Sequence, residues 1–247
     1  MKNLEMEGVI DRREHLKRFR GAIEVDKETL DYVRTKIKDD IDGKIIVDLG
    51  CGDGERVIGE LIGTEAKKII GIEIDDHMIS KAKEMKAKKE TELGRKLDSV
   101  YIIQGDLQKI PLADKSVDRI VSTFSFFPPD VSLALEELKR VTKDDGEIII
   151  ANTFPEIEDK EVLKEITEES KPNSPRFPIT INNGQEQKES KGIVKFADEY
   201  RVAFEKAGLE IIEENIEYPE NIKIPEGYKY KNKIDYKQIT FILKIKK

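Results

Sequence analysis

Short apolar runs separated by amphipathic stretches occupy most of the chain between residues 40 and 155. Five of these runs are rich in isoleucine and valine and predict buried β-strands, at residues 45–48, 68–73, 100–106, 117–123 and 147–151. Between the runs, apolar residues recur at helical spacing, as in Met78, Ile79, Ala82 and Met85. Strands that alternate with helices predict an α/β fold built on a parallel sheet.

Two helix boundaries are also marked in the sequence. Asp75 and Asp76 come just before an amphipathic stretch and predict its N-terminal cap. A second helix is predicted before the fifth strand, with its apolar side running from Leu135 to Val141. Gly146 follows it and suits a left-handed C-cap, so we expect that helix to end there.

A glycine-rich turn, Val-Asp-Leu-Gly-Cys-Gly-Asp-Gly at residues 47–54, follows the first predicted strand directly. The chain should bend at Gly50, Gly52 and Gly54. Because glycine tolerates positive φ and has no Cβ, a flat ligand can lie against this backbone. A helix over residues 57–62 should follow, with its amides facing the ligand. Nucleotide-like cofactors bind at such turns, at the carboxyl edge of a parallel sheet.

Two classes of cofactor compete for this turn, and a tight turn that binds nothing is a third possibility. The dinucleotide fingerprint G-x-G-x-x-G needs a small third residue where this chain has Glu55. Asp48, Asp53 and Glu55 also make the turn a poor setting for an anionic pyrophosphate. S-adenosylmethionine (SAM) has no phosphate and carries cationic sulfonium and ammonium groups beside its carboxylate. Acidic residues around the turn therefore suit SAM better.

The next two predicted strands both end on an acid. The second strand ends on Glu73, and a carboxylate there can accept two hydrogen bonds from a ribose diol. The third strand ends on Gly105 and Asp106. The order of strands and acids is thus the one that a nucleoside-binding edge requires.

Four motifs give the chain a specific family resemblance. They are VDLGCGDG at 47–54, GIEIDDHMI at 71–79, QGDLQKIPLADKSVDRIVS at 104–122 and LEELKRVTKDDGEIII at 135–150. With these motifs the chain resembles the class I SAM-dependent methyltransferases, the seven-stranded Rossmann-like family, over residues 40–155 and again in its C-terminal third. It departs from the family at Asp144-Asp145-Gly146, where relatives commonly have Pro-Gly-Gly, and at Glu73, where many have Asp.

The resemblance implies a single α/β domain over residues 1–247. Its sheet would be doubly wound, mostly parallel and seven-stranded, with a reversed C-terminal strand and an inserted cap between strand 5 and the last helix. The implied parts are an N-terminal helical extension at 1–40, a cofactor-binding core at 41–151, a substrate cap at 152–195, and the last helix with strands 6 and 7 at 196–247. The cap region contains a helix-like stretch and a run rich in proline and asparagine, at residues 158–169 and 171–184. It would either close over the acceptor or serve as a disordered linker.

The resemblance also implies SAM as the cofactor and assigns contacts with it to the ends of four strands. The implied contact residues are Asp48, Gly50, Cys51, Gly52, Gly54, Glu73, Ile74, Asp106, Leu107 and Ser122. In this scheme Glu73 holds the ribose hydroxyls and Asp106 accepts a hydrogen bond from the adenine amino group.

Family members present the methyl acceptor after the fourth strand, here at residues 122–129. Amino-methylating relatives often carry Asn/Asp-Pro-Pro-Tyr/Phe there, and this chain does not match that signature. Phe124, Phe126 and Phe127 either line the acceptor pocket or pack beneath the cofactor. We assign no catalytic residue from the sequence.

Composition fits a soluble enzyme. The 247 residues are 38% charged and carry a net charge of −7. In the basic stretch at 12–20, apolar residues such as Leu16 and Phe19 alternate with the charges at helical spacing, which is typical of the solvated side of an amphipathic helix, so a nucleic-acid partner is not expected. The sequence has no signal-peptide core, no apolar run of membrane-span length and a single cysteine, so we expect a cytoplasmic protein without membrane partners. Cys51, His15 and His77 are the only soft metal ligands, so we predict no zinc site.

Methyl transfer from a sulfonium is an in-line displacement, so the main contribution of the enzyme would be positioning. A general base is needed only if the nucleophile arrives protonated. We therefore expect a SAM-dependent methyltransferase that acts on a small molecule. Three alternatives stay open: an acceptor that is RNA or protein, a non-catalytic SAM-binding regulator, and a nicotinamide-dependent oxidoreductase, which Glu55 disfavours.

Overall fold

The computed structural model describes residues 27–128, 130–158, 160, 161, 164, 197–219 and 235–246. Most of the predicted N-terminal extension and most of the predicted cap lie outside these ranges. Within the predicted helix at 158–169, Lys160, Glu161 and Lys164 are helical. The division of the chain into extension, core and cap therefore stays a prediction.

The described residues form an alternating series of strands and helices. In chain order these are α1 (Lys27–Lys38), β1 (Ile45–Leu49), α2 (Ile58–Leu61), β2 (Lys68–Glu73), α3 (Asp76–Leu93), β3 (Val100–Gln104), β4 (Val117–Thr123), α4 (Val131–Val141), β5 (Thr142–Glu156), α5 (Ala197–Lys206), β6 (Leu209–Glu217) and β7 (Asp235–Ile245).

The strands form one seven-stranded sheet in the order β3-β2-β1-β4-β5-β7-β6. The pairs formed by β1 with β2, β1 with β4, β2 with β3 and β4 with β5 are parallel, whereas β7 is antiparallel to both β5 and β6. The predicted mostly parallel sheet with a reversed last strand is confirmed. The direction of winding changes between β1 and β4, and ligands bind at such a switch point in doubly wound sheets.

Apolar layers cover both faces of the sheet. On one face, α4 and α5 pack against the strands through Leu135, Leu138 and Phe204. On the other face, α1, α2 and α3 contribute a second cluster that includes Ile37 and Leu61. Helices on both faces confirm the doubly wound prediction. They leave polar groups to collect at the two ends of the strands, which we call the amino edge and the carboxyl edge of the sheet.

The predictions for α3 and α4 had different outcomes. Asp75 is the N-cap of α3 as predicted, and its carboxylate accepts hydrogen bonds from the amides of His77 and Met78. The predicted C-cap at Gly146 is wrong: α4 ends at Val141, and β5 already begins at Thr142. A Cβ at Gly146 would lie 3.0 Å from the Asp118 carbonyl oxygen and 2.6 Å from a Thr142 methyl carbon. Glycine is therefore needed there for close packing, in an irregular start of β5.

Candidate active site

The glycine turn after β1 has the conformation that its sequence predicts. Gly50, Gly52 and Gly54 have φ values of +72°, +58° and +80°. A Cβ at Gly50 would lie 2.5 Å from the Ser125 Cβ, and one at Gly54 would lie 2.6 Å from the Met85 Cε. Both positions therefore need glycine for backbone conformation and for space. The helix that follows the turn, α2, is shorter than the predicted range of 57–62.

Glu73 holds this turn against the end of β2. Its carboxylate accepts hydrogen bonds from the amides of Gly52, at 2.9 Å, and of Ile74 and Asp75, at 2.9 and 3.1 Å. The residue is only 5% exposed. A carboxylate has about four acceptor sites, so three protein donors leave capacity for a further donor from a ligand.

Asp48 lies at the carboxyl end of β1 and is 2% exposed. Among the residues that the structure describes, none donates a hydrogen bond to its carboxyl group. Burial raises the pKa of Asp48 to about 8; the positive charge of Arg56 opposes this shift, and the negative charge of Glu73 adds to it. A buried carboxyl group with this pKa gains most from a ligand that brings a positive charge or a hydrogen-bond donor.

Ser122 and Ser125 tie the end of β4 to the end of β1. Both hydroxyl groups donate to the carbonyl oxygen of Leu49, at 3.0 and 2.8 Å, and they lie 2.9 Å from each other. Ser122 is 1% exposed. This placement gives the Ser122 side chain a role in holding the two strand ends together, and the cofactor contact expected for Ser122 stays a prediction.

Phe124 begins the segment that follows β4, in an unusual backbone conformation. Its φ is +54°, which is rare for a bulky side chain. Its amide donates to the Ala151 carbonyl oxygen at 2.6 Å. The guanidinium of Arg56 lies 5.4 Å from the centroid of the Phe124 ring and donates to the Thr123 carbonyl oxygen at 3.2 Å. Such strain persists only where the surroundings fix the chain, and it concentrates at functional sites.

The other two phenylalanines of this segment differ in exposure. Phe126 is fully buried in the core, whereas Phe127 is 45% exposed. The carbonyl oxygen of Phe126 accepts two hydrogen bonds, from Asn152 Nδ2 at 3.0 Å and from the Tyr200 hydroxyl at 2.9 Å. The sequence left open whether these phenylalanines pack in the interior or line a pocket. Phe126 packs in the core, whereas Phe127 is exposed at the surface.

The remaining predicted contact residues surround the same edge. Ile74 is exposed beside Glu73. Asp106 is partly buried and accepts a hydrogen bond from the Gln108 amide at 2.9 Å, while Leu107 packs against the core. Cys51 is buried, and burial raises the pKa of its thiol, so it stays protonated. Because β3, β2, β1 and β4 are adjacent and parallel, their carboxyl ends bring all ten predicted residues to one edge.

Sequence reasoning missed four residues of this edge: Arg56, Ser125, Asn152 and Tyr200. Asn152 had a detectable signal, because it is a polar residue directly after the apolar run of β5. Tyr200 is part of an ordinary amphipathic helix, and nothing in its spacing marks it. Within the described ranges, no group of three or more His, Cys, Asp or Glu side chains could hold a metal ion, and no helix is long and apolar enough to cross a membrane.

Comparisons of the sequence with known proteins point to one family. A family model described as a methyltransferase domain matches residues 40–208. An uncharacterized methyltransferase of Schizosaccharomyces pombe is 35% identical over 103 residues, which are 41% of this chain and 37% of that protein. Demethylmenaquinone methyltransferase of Oceanobacillus iheyensis is 28% identical over 114 residues, or 45% of each chain. The match with these two relatives thus spans less than half of their length.

Solved structures show the same fold at low identity. A Bacillus halodurans protein assigned as a methyltransferase has a TM-score of 0.62 at 12% identity, covering 89% of this chain and 100% of that one. The cyclase SpnF has the same TM-score, 0.62, at 14% identity, covering 89% and 81%. Likeness at this level shows the fold alone. The family model covers more than half of the chain, however, and the chain therefore belongs to the class I SAM-dependent methyltransferase family.

Proposed function

We propose that this protein transfers a methyl group from SAM to a small-molecule acceptor. The proposal rests chiefly on the two buried carboxyl groups, Asp48 and Glu73, that flank the glycine turn. The membership of the family supports SAM as the donor. The similarity to demethylmenaquinone methyltransferases supports a small acceptor, although it covers less than half of the chain.

The residues of the edge fit SAM better than they fit a dinucleotide. A pyrophosphate would bring two negative charges close to Glu73, which has no opposite charge in hydrogen-bond contact among the described residues, and it would further oppose the ionisation of Asp48. SAM brings a sulfonium and an ammonium group instead. We assign the methionine part of SAM to Asp48 and the glycine turn, the ribose to Glu73 and the adenine amino group to Asp106.

The chain would contribute mainly by fixing positions. When bound, SAM supplies a methyl group that is already activated by the sulfonium. The segment at 122–128 contains no carboxyl, imidazole, thiol or amino side chain, so its contribution is a fixed backbone and an apolar surface. Positioning of this kind reaches effective molarities of about 10⁵–10⁸ M in well-oriented intramolecular reactions. An acceptor that arrives with a free lone pair or a readily ionised group needs no further base from this segment.

Calorimetry tests the cofactor assignment. We expect SAM and S-adenosylhomocysteine to bind with micromolar dissociation constants, and NAD and ATP to show no saturable binding. Tighter binding of NAD than of SAM would overturn the proposal. Asp48→Asn is a useful companion variant, because it keeps the shape of the side chain while removing its charge.

A radiolabelled-methyl assay tests the class of acceptor. The panel should contain a reduced quinone, small amines and thiols, a tRNA transcript and a protein extract freed of small molecules. Transfer to one of the small molecules is the expected result. Transfer only to the tRNA or to protein would overturn the small-molecule assignment. Tight SAM binding without transfer to any member of a broad panel would favour a non-catalytic regulator.

A further inference from the structure

The carbonyl oxygen of Phe126 is held from two directions. Asn152 Nδ2 donates to it at 3.0 Å and the Tyr200 hydroxyl at 2.9 Å. Both donor residues are buried, with exposures of 0% and 2%. A carbonyl oxygen has two lone pairs, so two donors satisfy it fully and fix the orientation of the peptide group between Phe126 and Phe127.

The two donors come from different layers of the fold. Asn152 belongs to β5 and lies in the sheet, whereas Tyr200 belongs to α5, which packs on the sheet. The carbonyl group of Phe126 therefore connects the segment after β4 to both layers. The same peptide group is also held through its N–H, because the Phe127 amide donates to the Ser125 carbonyl oxygen at 2.9 Å.

The hydroxyl group of Tyr200 is not needed for packing. Its ring makes edge-to-face contacts with the rings of Phe126, Phe154 and Phe204, at centroid distances of 6.2, 5.2 and 5.9 Å. A phenylalanine ring would make the same contacts. Burying a hydroxyl group is unfavourable unless it is hydrogen-bonded, so its bond to the Phe126 carbonyl is its distinct contribution. Burial also raises the pKa of Tyr200, so the hydroxyl keeps its proton.

The segment that Tyr200 and Asn152 hold is fixed at both of its ends as well. Near its start, the Phe124 amide donates to the Ala151 carbonyl oxygen at 2.6 Å. Just beyond it, the amide of Asp130 donates to the side chain of Gln108 at 2.7 Å. The positive φ of Phe124 requires such support from the surroundings. The Phe126 carbonyl lies between these two attachments, and its two donors fix the middle of the segment together with the Ser125 hydroxyl, which donates to the Leu49 carbonyl oxygen at 2.8 Å.

We propose that Asn152 and Tyr200 are positioning residues for methyl transfer: by holding the Phe126 carbonyl they fix the backbone from Phe124 to Phe127, against which the acceptor is aligned. This inference rests on the proposed function. Both side chains are buried and donate to the Phe126 carbonyl oxygen, so the role that we assign to them is positioning and not contact with the acceptor or SAM. Their effect passes through the peptide group after Phe126, which sets the direction in which the exposed Phe127 ring points.

Tyr200→Phe is the decisive variant, because it removes one donor and keeps the ring. Tyr32→Phe is the matched control: the Tyr32 hydroxyl donates to Glu213 at 2.6 Å, and its ring packs on the opposite face of the sheet. Hydrogen exchange would be followed by mass spectrometry in the presence of saturating S-adenosylhomocysteine. We expect amides in residues 122–128 to exchange about 2- to 12-fold faster in Tyr200→Phe, the range set by the loss of one hydrogen bond. Exchange in residues 48–54 should not change, and Tyr32→Phe should leave both peptides unchanged.

The kinetic counterpart separates positioning from general destabilisation. With the best acceptor of the radiolabel panel, Tyr200→Phe should lower kcat or raise the acceptor KM within the same range, while the KM for SAM stays constant. Asn152→Ala should act in the same direction, and the double variant should show more than the sum of the two effects, because only the double variant leaves the buried carbonyl without a donor. A folded Tyr200→Phe protein with unaltered exchange at 122–128 would overturn the inference. Failure of the unaltered protein to bind S-adenosylhomocysteine would instead overturn the proposed function on which it rests.

Discussion

At the amino edge of the sheet, charged side chains lie against opposite charges, whereas the buried carboxyl groups of Asp48 and Glu73, at the carboxyl ends of β1 and β2, have no ion-pair partner among the described residues. At the amino edge, Arg119 contacts Glu147 at 2.9 Å, and Lys143 contacts Asp118 at 2.6 Å. At the carboxyl edge, Glu73 is held by backbone amides alone among the described residues. The amino edge therefore uses opposite charges to complete the fold, whereas under the proposed function the carboxyl groups at the ends of β1 and β2 remain available to a ligand.

Arg119 shows how far the amino edge is devoted to structure. Its guanidinium donates to the carbonyl oxygens of Lys36, Ile37 and Asp39, at 3.0, 3.1 and 2.5 Å. These carbonyls belong to the C-terminal end of α1, where a helix leaves acceptors without partners and where positive charge is favourable. A single buried side chain thus joins α1, β4 and β5.

The largest expected effect comes from breaking this amino-edge cluster. Arg119→Ala leaves Glu147 and the three carbonyls without their donor. Removing one partner of a buried ion pair is strongly destabilising, and we expect the free energy of unfolding to fall by about 3–5 kcal/mol, measured by urea denaturation. Lys143→Ala is the control, because its side chain is 40% exposed. Losing that pair should change stability by only about 0–1 kcal/mol. Equal losses of stability in the two variants would contradict the distinction between the buried Arg119 pair and the exposed Lys143 pair.

Glu73→Ala tests the carboxyl edge in the same way. Hydrogen bonds to a charged group contribute about 1.5–3 kcal/mol, so loss of the contact with the ribose should weaken SAM binding about 10- to 150-fold by calorimetry. Glu73→Gln keeps one acceptor oxygen and should have a smaller effect. A dissociation constant that stays the same in folded Glu73→Ala would show that the carboxylate only supports the turn.

From the raised pKa of Asp48 we expect that, as the pH rises, the free protein becomes less stable while its affinity for SAM increases. Its pKa is raised from 3.8 to about 8 in the folded protein, so the folded state binds one more proton than the unfolded state between these values. The stability that this group contributes is complete below its unfolded pKa and is lost as the pH rises through about 8. The free protein should therefore lose stability with rising pH in this window.

Binding of SAM should show the opposite trend, because a cation favours the ionised form of Asp48. Between pH 6 and 8 the dissociation constant should decrease by up to about tenfold per pH unit, and binding should release a proton that calorimetry in two buffers detects. In Asp48→Asn both the proton release and the steep pH dependence should disappear. If SAM binding to Asp48→Asn keeps the same pH dependence, a group other than Asp48 is responsible for it.

The elements that follow from local pattern were predictable, and those that depend on distant contacts were not. The apolar runs located the parallel strands, and the glycine turn was recognisable because positive φ has a sequence signature. The length of β5 was not visible, since residues 152–156 are extended by pairing with β7 and not by an apolar run. The two hydrogen bonds to the Phe126 carbonyl come from Asn152 and Tyr200, which are 26 and 74 positions away in the chain, and no local pattern encodes such contacts.

Ser122 gives the smallest expected effect and the sharpest test of how far the carboxyl edge extends. The family resemblance places it in contact with the cofactor, whereas its buried hydroxyl donates to the Leu49 carbonyl beside that of Ser125. Because Ser125 still satisfies that carbonyl, Ser122→Ala should lower stability by about 0.5–1.5 kcal/mol at most and leave SAM affinity within about twofold. Ser125→Ala is the matched control, and only removal of both hydroxyls leaves the carbonyl without a donor. A clear loss of SAM affinity in Ser122→Ala alone, at unchanged stability, would mean that the cofactor reaches beneath the strand end and that the binding edge begins deeper than Leu49.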